Sequence, residues 1–176
     1  MKEIKFTHSI FIVDDHQLVV DGIRSLLNVS EVYRLSGFTH NPLEVMDLLE
    51  KNQADILLTD ISMPLMSGIE LTRLVKKRFP AIKVIAISMH GEGDVVKQML
   101  DAGISGYILK NTGRAELIEA LDSVTAGKTY FGKEVTQEIL KGFAGRDSEP
   151  RLTNREIEII KLISNEFGNK QISEKL

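Results

Sequence analysis

The chain contains no cysteine, which excludes disulfides and thiolate metal sites. No apolar run approaches the roughly 20 residues that span a bilayer. The opening Met1-Lys2-Glu3-Ile4-Lys5 lacks the apolar centre of a signal peptide. A cytoplasmic location without membrane contact is the resulting expectation. Neither sign of charge dominates: 22 Lys/Arg stand against 25 Asp/Glu, a net charge of −3. That balance gives no overall pull towards nucleic acid or an anionic surface. What remains is an ordinary globular composition, 43% hydrophobic and 27% charged over 176 residues. This is enough for one good-sized domain and a small appendage.

Apolar runs alternate with amphipathic stretches. Ile10–Val13 is short, uninterrupted and rich in β-branched residues, as in a strand covered on both faces. Gln17–Leu27 follows with Leu18, Val19, Ile23, Leu26 and Leu27 at helical spacing. Tyr33–Phe38 reads as a second strand, and Asn41-Pro42 opens a helix. The pattern then repeats three times. Strand Ile56–Thr59 precedes helix Ser67–Arg78, strand Lys83–Ser88 precedes a helix over Asp94–Ala102, and strand Gly106–Leu109 precedes helix Ala115–Thr125. Strict alternation predicts an α/β fold with a doubly wound, five-stranded parallel sheet and right-handed crossovers.

Four of those strands end in groups suited to phosphoryl chemistry: Asp14-Asp15, Asp60, Ser88 and Lys110. The strand near Tyr33–Phe38 carries none. A parallel sheet gathers the carboxyl ends of its strands at one edge, where ligands bind. Adjacent carboxylates are costly to bury unpaired, and a hard cation such as Mg²⁺ relieves that cost. Asp60 is the candidate nucleophile, because a carboxylate can accept a phosphoryl group as an acyl phosphate. Lys110 would neutralise charge on the transferring group and Ser88 would donate to it. Each acid alone is as readily a helix cap or a strand terminus. The convergence of all of them at strand ends favours a site.

The motifs Ile12-Val13-Asp14-Asp15-His16, Asp60-Ile61-Ser62-Met63-Pro64-Leu65-Met66-Ser67-Gly68, Ala86-Ile87-Ser88 and Gly106-Tyr107-Ile108-Leu109-Lys110 resemble those of a bacterial two-component response regulator. The resemblance covers about residues 9–125. It implies a CheY-like receiver with strand order 2-1-3-4-5, assigned here to residues 8–127. Carried over, it makes Asp60 the acceptor from a sensor histidine kinase. It makes Asp15 and Asp60 direct Mg²⁺ ligands, with Asp14 acting through water and the Ser62 main-chain carbonyl completing the set. It makes Ser88 and Lys110 phosphoryl contacts and Ser88 with Tyr107 the switch pair, the aromatic ring turning inward on phosphorylation. It also implies a homodimer on phosphorylation. Asn111 stands where many receivers have Pro, which weighs against a cis peptide after Lys110.

After Gly127 the rhythm changes. Residues 128–150 read as a linker with one short helix, Val135–Phe143, ending in the turn-rich stretch around Gly145 and Pro150. The segment 151–176 then resembles the first part of a LuxR-type helix-turn-helix domain of the NarL/FixJ group, with the recognition helix missing. Thr153 and Glu156 form its capping box. Five basic against four acidic residues give this segment only +1, too little for a good DNA footprint by itself. The expected function is therefore a phosphorylation-dependent regulator whose longer form binds DNA. The alternative is a truncated or stand-alone receiver acting through protein contacts or as a phosphate sink. A phosphatase would need an acid two residues after the nucleophile, where Ser62 stands, so the chain is not expected to be an enzyme.

Overall fold

The strands follow from where apolar side chains can be hidden. Along β1 (His8–Val13), Phe11 and Val13 enter one buried cluster while Ile10 and Ile12 enter another. The same split separates Leu57 from Ile56 and Leu58 on β3 (Ile56–Asp60). It separates Val84 and Ala86 from Ile85 and Ile87 on β4 (Lys83–Ser88). A strand apolar on both faces needs helices on both faces. In the computed structural model, which describes residues 7–89, 91 and 93–144, those helices are present on either side. Helix α1 (Gln17–Leu27) and helix α5 (Arg114–Thr125) cover one face through Val20, Ile23, Leu117 and Leu121. The other is covered by α2 (Val45–Lys51), α3 (Gly68–Arg78) and α4 (Gly93–Asp101) through Val45, Leu71, Val75 and Met99.

All ladders are parallel, and the sheet order is β2-β1-β3-β4-β5-β6, with β2 at Tyr33–Thr39 and β5 at Gly106–Leu109. The expected order holds for the first five. The sixth strand, β6 (Tyr130–Phe131), corrects the expected five-stranded sheet; it lies in the stretch read as linker. Gly127, at φ +80°, reverses the chain after α5. Tyr130 N then donates to Ser105 O, and Gly132 N to Tyr107 O, both at 3.0 Å. Two residues capping a free edge leave no periodic trace in a sequence. The short helix of this stretch, α6, spans Lys133–Ala144 and packs on α4. Residues 151–176, with their helix-turn-helix resemblance, lie outside the described residues.

Smaller departures have local causes. Asn41 and Pro42 open a single 3-10 turn, Pro42–Glu44, before α2 begins, the Asn41 side chain accepting from Leu43 N. Ser67 caps α3 instead of belonging to it: its hydroxyl accepts from Glu70 N, and Glu70 reaches back to Ser67 N. No peptide bond among the described residues is cis, including that between Lys110 and Asn111.

One glycine fixes the turn that follows the central strand. Gly68 N donates to Ile61 O at 2.9 Å, and a Cβ on Gly68 would sit 2.1 Å from the Asp60 carbonyl oxygen. The obstacle is backbone, so it cannot swing aside. Gly68→Ala is expected to cost about 3 kcal/mol through forced displacement of the 60–61 backbone. Urea unfolding of the variant measures this, and a midpoint equal to wild type would remove the constraint.

Candidate functional site

Four strand ends meet at one edge. Asp14 leaves β1 fully buried, and Asp60 ends β3 with 3% of its surface exposed. Ser88 ends β4, and Lys110 follows β5, its main-chain N–H donating to Ser88 O at 2.7 Å. The crossovers that make the sheet parallel bring these ends together, although 96 positions separate Asp14 from Lys110.

The Lys110 ammonium bridges two carboxylates. Its Nζ lies 2.9 Å from Asp14 Oδ2 and 2.9 Å from Asp60 Oδ2, with its side chain only 5% exposed. Burial alone would lower its pKa. The hydrogen bonds to Asp14 and Asp60 outweigh that effect and hold it above the ordinary lysine value, so it stays a cation. Asp60 is shifted the other way from most paired acids. Desolvation raises its pKa, Asp14 adds to the rise, and Lys110 only partly offsets them. Its two oxygens are inequivalent: Oδ1 accepts from Ile61 N at 2.7 Å and Ser62 N at 3.4 Å, while Oδ2 faces the ammonium.

Asp15 is partly exposed, and its Oδ1 lies 2.8 Å from His16 Nδ1. Asp14 Oδ1 accepts from His16 N at 2.8 Å, which turns the chain into α1. Two buried oxygens, Asp14 Oδ2 and Asp15 Oδ1, accept no hydrogen bond, although each has a cationic or ring nitrogen beside it as an ion pair. One ligand atom each from Asp14, Asp15, His16 and Asp60 falls within 4.8 Å of the others. Oxygen-rich, strongly anionic and short of donors, this set fits a hard divalent cation such as Mg²⁺.

Ser62, Ser88 and Lys110 line one small cleft with Asp60, and Asp14 meets Asp60 there through the shared Lys110 ammonium. His16 and Met89 also line it. His16 follows Asp15 in the first motif, where nothing in the sequence distinguishes it as a site residue. Tyr107 sits apart, in the layer beneath. It is fully buried, in the cluster that holds Val96, Met99, Ile104 and Val135. Phe131 and Gly132 hold its main chain from β6.

A family model described as the response regulator receiver domain matches residues 10–122. The chain is 31% identical over 186 residues to the transcriptional regulatory protein DegU of Brevibacillus brevis, covering 95% of this chain and 79% of that protein. It is similar to the solved structure of the Salmonella typhimurium RcsB response regulator, in a study of its conformational dynamism for DNA interaction. The TM-score is 0.75 at 29% identity, covering 97% of this chain and 84% of that one. Salmonella enterica RcsB bound to promoter rprA with the phosphomimetic BeF₃⁻ gives a TM-score of 0.71 at 29% identity, covering 96% and 82% of the two chains.

Proposed function

The chain belongs to the response regulator receiver family, and on that premise we propose that it is a phosphorylation-dependent transcriptional regulator with Asp60 as its phosphoacceptor. The observation that carries this reading is the Lys110 ammonium shared between Asp14 and Asp60 at the mouth of the cleft. Asp60 Oδ2 attacks phosphorus in the phosphohistidine of a sensor kinase. The O–P bond forms as the P–N bond breaks, and the electron pair leaves on the imidazole nitrogen. Lys110 stays charged and follows the phosphoryl oxygens as negative charge spreads over them. Ser88, at the end of the neighbouring strand, donates to one of those oxygens. Asp15 and Asp60, with the Ser62 carbonyl, would hold Mg²⁺, and Asp14 would reach it through water. The bound ion would neutralise phosphoryl charge opposite the lysine.

The product is a covalent mark on the regulator itself, which is self-modification and not turnover of a free substrate. Phosphate shifts a two-state equilibrium only by binding one state better, and a change from about 1:99 to 99:1 needs roughly 5.5 kcal/mol. The Ser88 and Lys110 contacts supply part of it. Tyr107, packed under α4 and α6, links the phosphoryl pocket to the surface that carries output. DNA binding and dimerisation on phosphorylation are the expected outputs, by likeness to RcsB bound to promoter DNA and to the solved structure of two RcsB dimers bound to two parallel DNAs.

The test is intact mass after incubation with acetyl phosphate. A labile adduct is expected with Mg²⁺, none with a chelator, and hydroxylamine should strip it, as it does acyl phosphates. An adduct that forms equally in chelator, or that resists hydroxylamine, would contradict the proposal.

A further inference from the structure

His40 belongs to neither the acidic cluster nor the cleft, yet it touches both ends of the loop that carries Asp15. It follows β2 directly. Its Nδ1 lies 2.7 Å from the Asp14 main-chain oxygen, and its Nε2 lies 2.8 Å from Gln17 Oε1. A carbonyl oxygen only accepts, so the Nδ1–H is the donor to Asp14; in that neutral tautomer Nε2 is an acceptor, and it pairs with the Gln17 amide turned to present its N–H. Asp15 and His16 lie between those two anchor points.

Asp14 is gripped twice by consecutive residues. Its N–H donates to Thr39 O at 3.3 Å, and its C=O accepts from His40. The imidazole is itself held: Phe38 meets it edge-on, with centroids 5.6 Å apart and planes at 63°, and the Arg24 guanidinium covers Phe38 at 4.7 Å. Arg24 and Gln17 both belong to α1. The ring thus spans from the end of β1 to the first turn of α1, across a loop bearing two like charges that repel each other.

We propose that His40 is a positioning residue for divalent-metal binding at the phosphoacceptor pocket. By tying Asp14 to Gln17 it fixes the loop that presents Asp15, and so sets the metal affinity. This rests on the metal-dependent reading above and adds a residue to it. Partners that orient ligands commonly change metal affinity by about 10–100-fold when removed.

The test is Mg²⁺ titration of the full chain by calorimetry, for wild type, His40→Ala, His40→Asn and Gln17→Ala, with thermal melts alongside. His40→Ala is expected to weaken Mg²⁺ about 10-fold. His40→Asn keeps a donor near the Nδ1 position and should recover most of that loss. Gln17→Ala, at an exposed position that leaves the Phe38 contact intact, should weaken binding about 3-fold, the value of one modest hydrogen bond. With acetyl phosphate, the half-saturating Mg²⁺ should rise by the same factors while the rate at saturating Mg²⁺ is unchanged. Wild-type affinity in His40→Ala, or equal losses in His40→Ala and His40→Asn, would overturn the positioning role alone. A wild-type protein that binds no Mg²⁺ would overturn the metal reading and this role together.

Discussion

Asp60→Asn is expected to abolish the phosphoryl adduct and, at neutral pH, to raise stability. The two effects have opposite signs and one origin. Asp60 ends the central strand β3 almost fully buried, with Asp14 nearby and one lysine between them. Burial first, then Asp14, push its pKa up from 3.8. A raised folded-state pKa means that the folded protein binds that proton more readily than the unfolded chain does. The resulting penalty is absent below the ordinary carboxylate value and fully present above the raised one. Removing the charge relieves the penalty at pH 7 and gains nothing in strong acid. It also leaves Lys110 with a single buried partner, Asp14, in a balanced pair. The expected readings are no mass increase with acetyl phosphate and a higher melting temperature at pH 7, the gap closing as pH falls. A retained adduct would remove Asp60 from the chemistry.

Lys110→Met is expected to move both quantities downward. The ammonium touches Asp14 at 2.9 Å and 3.1 Å and Asp60 at 2.9 Å, and it is held charged. Without it two buried carboxylates face each other with no shared cation, a change of the kind that costs about 3 kcal/mol. The phosphoryl group would also lose its positive neighbour on that side. Removing one preorganised donor from such a site typically slows chemistry about 10²–10³-fold. The rate of adduct formation at saturating Mg²⁺ measures this. A rate within a few-fold of wild type would show that the lysine only balances charge in the resting fold.

Much of this was legible because the site sits at the ends of uninterrupted apolar runs. Ile10–Val13 and Ile56–Thr59 cannot be anything but buried strands, so the acids that close them had to share an edge. Helix starts were harder. Ser67 and Glu70 form a capping box that the residue pattern contains, yet Ser67 reads equally as the first helical residue. Tyr130-Phe131 was not legible as a strand, because two residues show no alternation and their pairing depends on a β5 edge created by the rest of the chain. His40 carried no signal either. A lone histidine after a strand is usually incidental, and its importance appears only when β2 lies beside β1 with Thr39 and His40 level with Asp14. Only resemblance assigns Tyr107 to a switch pair; no periodicity singles it out. Its buried ring reflects the cover that β6 and α6 add, which periodicity did not foretell.

The most direct measurement locates the phosphoryl group itself. Borohydride reduces an acyl phosphate to an alcohol at the side chain that carried it, and peptide mass mapping reads the position. After acetyl phosphate and Mg²⁺, the expected mark is at residue 60 alone. A mark on Asp14 or Asp15, or phosphate found on Ser88 with no reducible acyl group, would contradict the account.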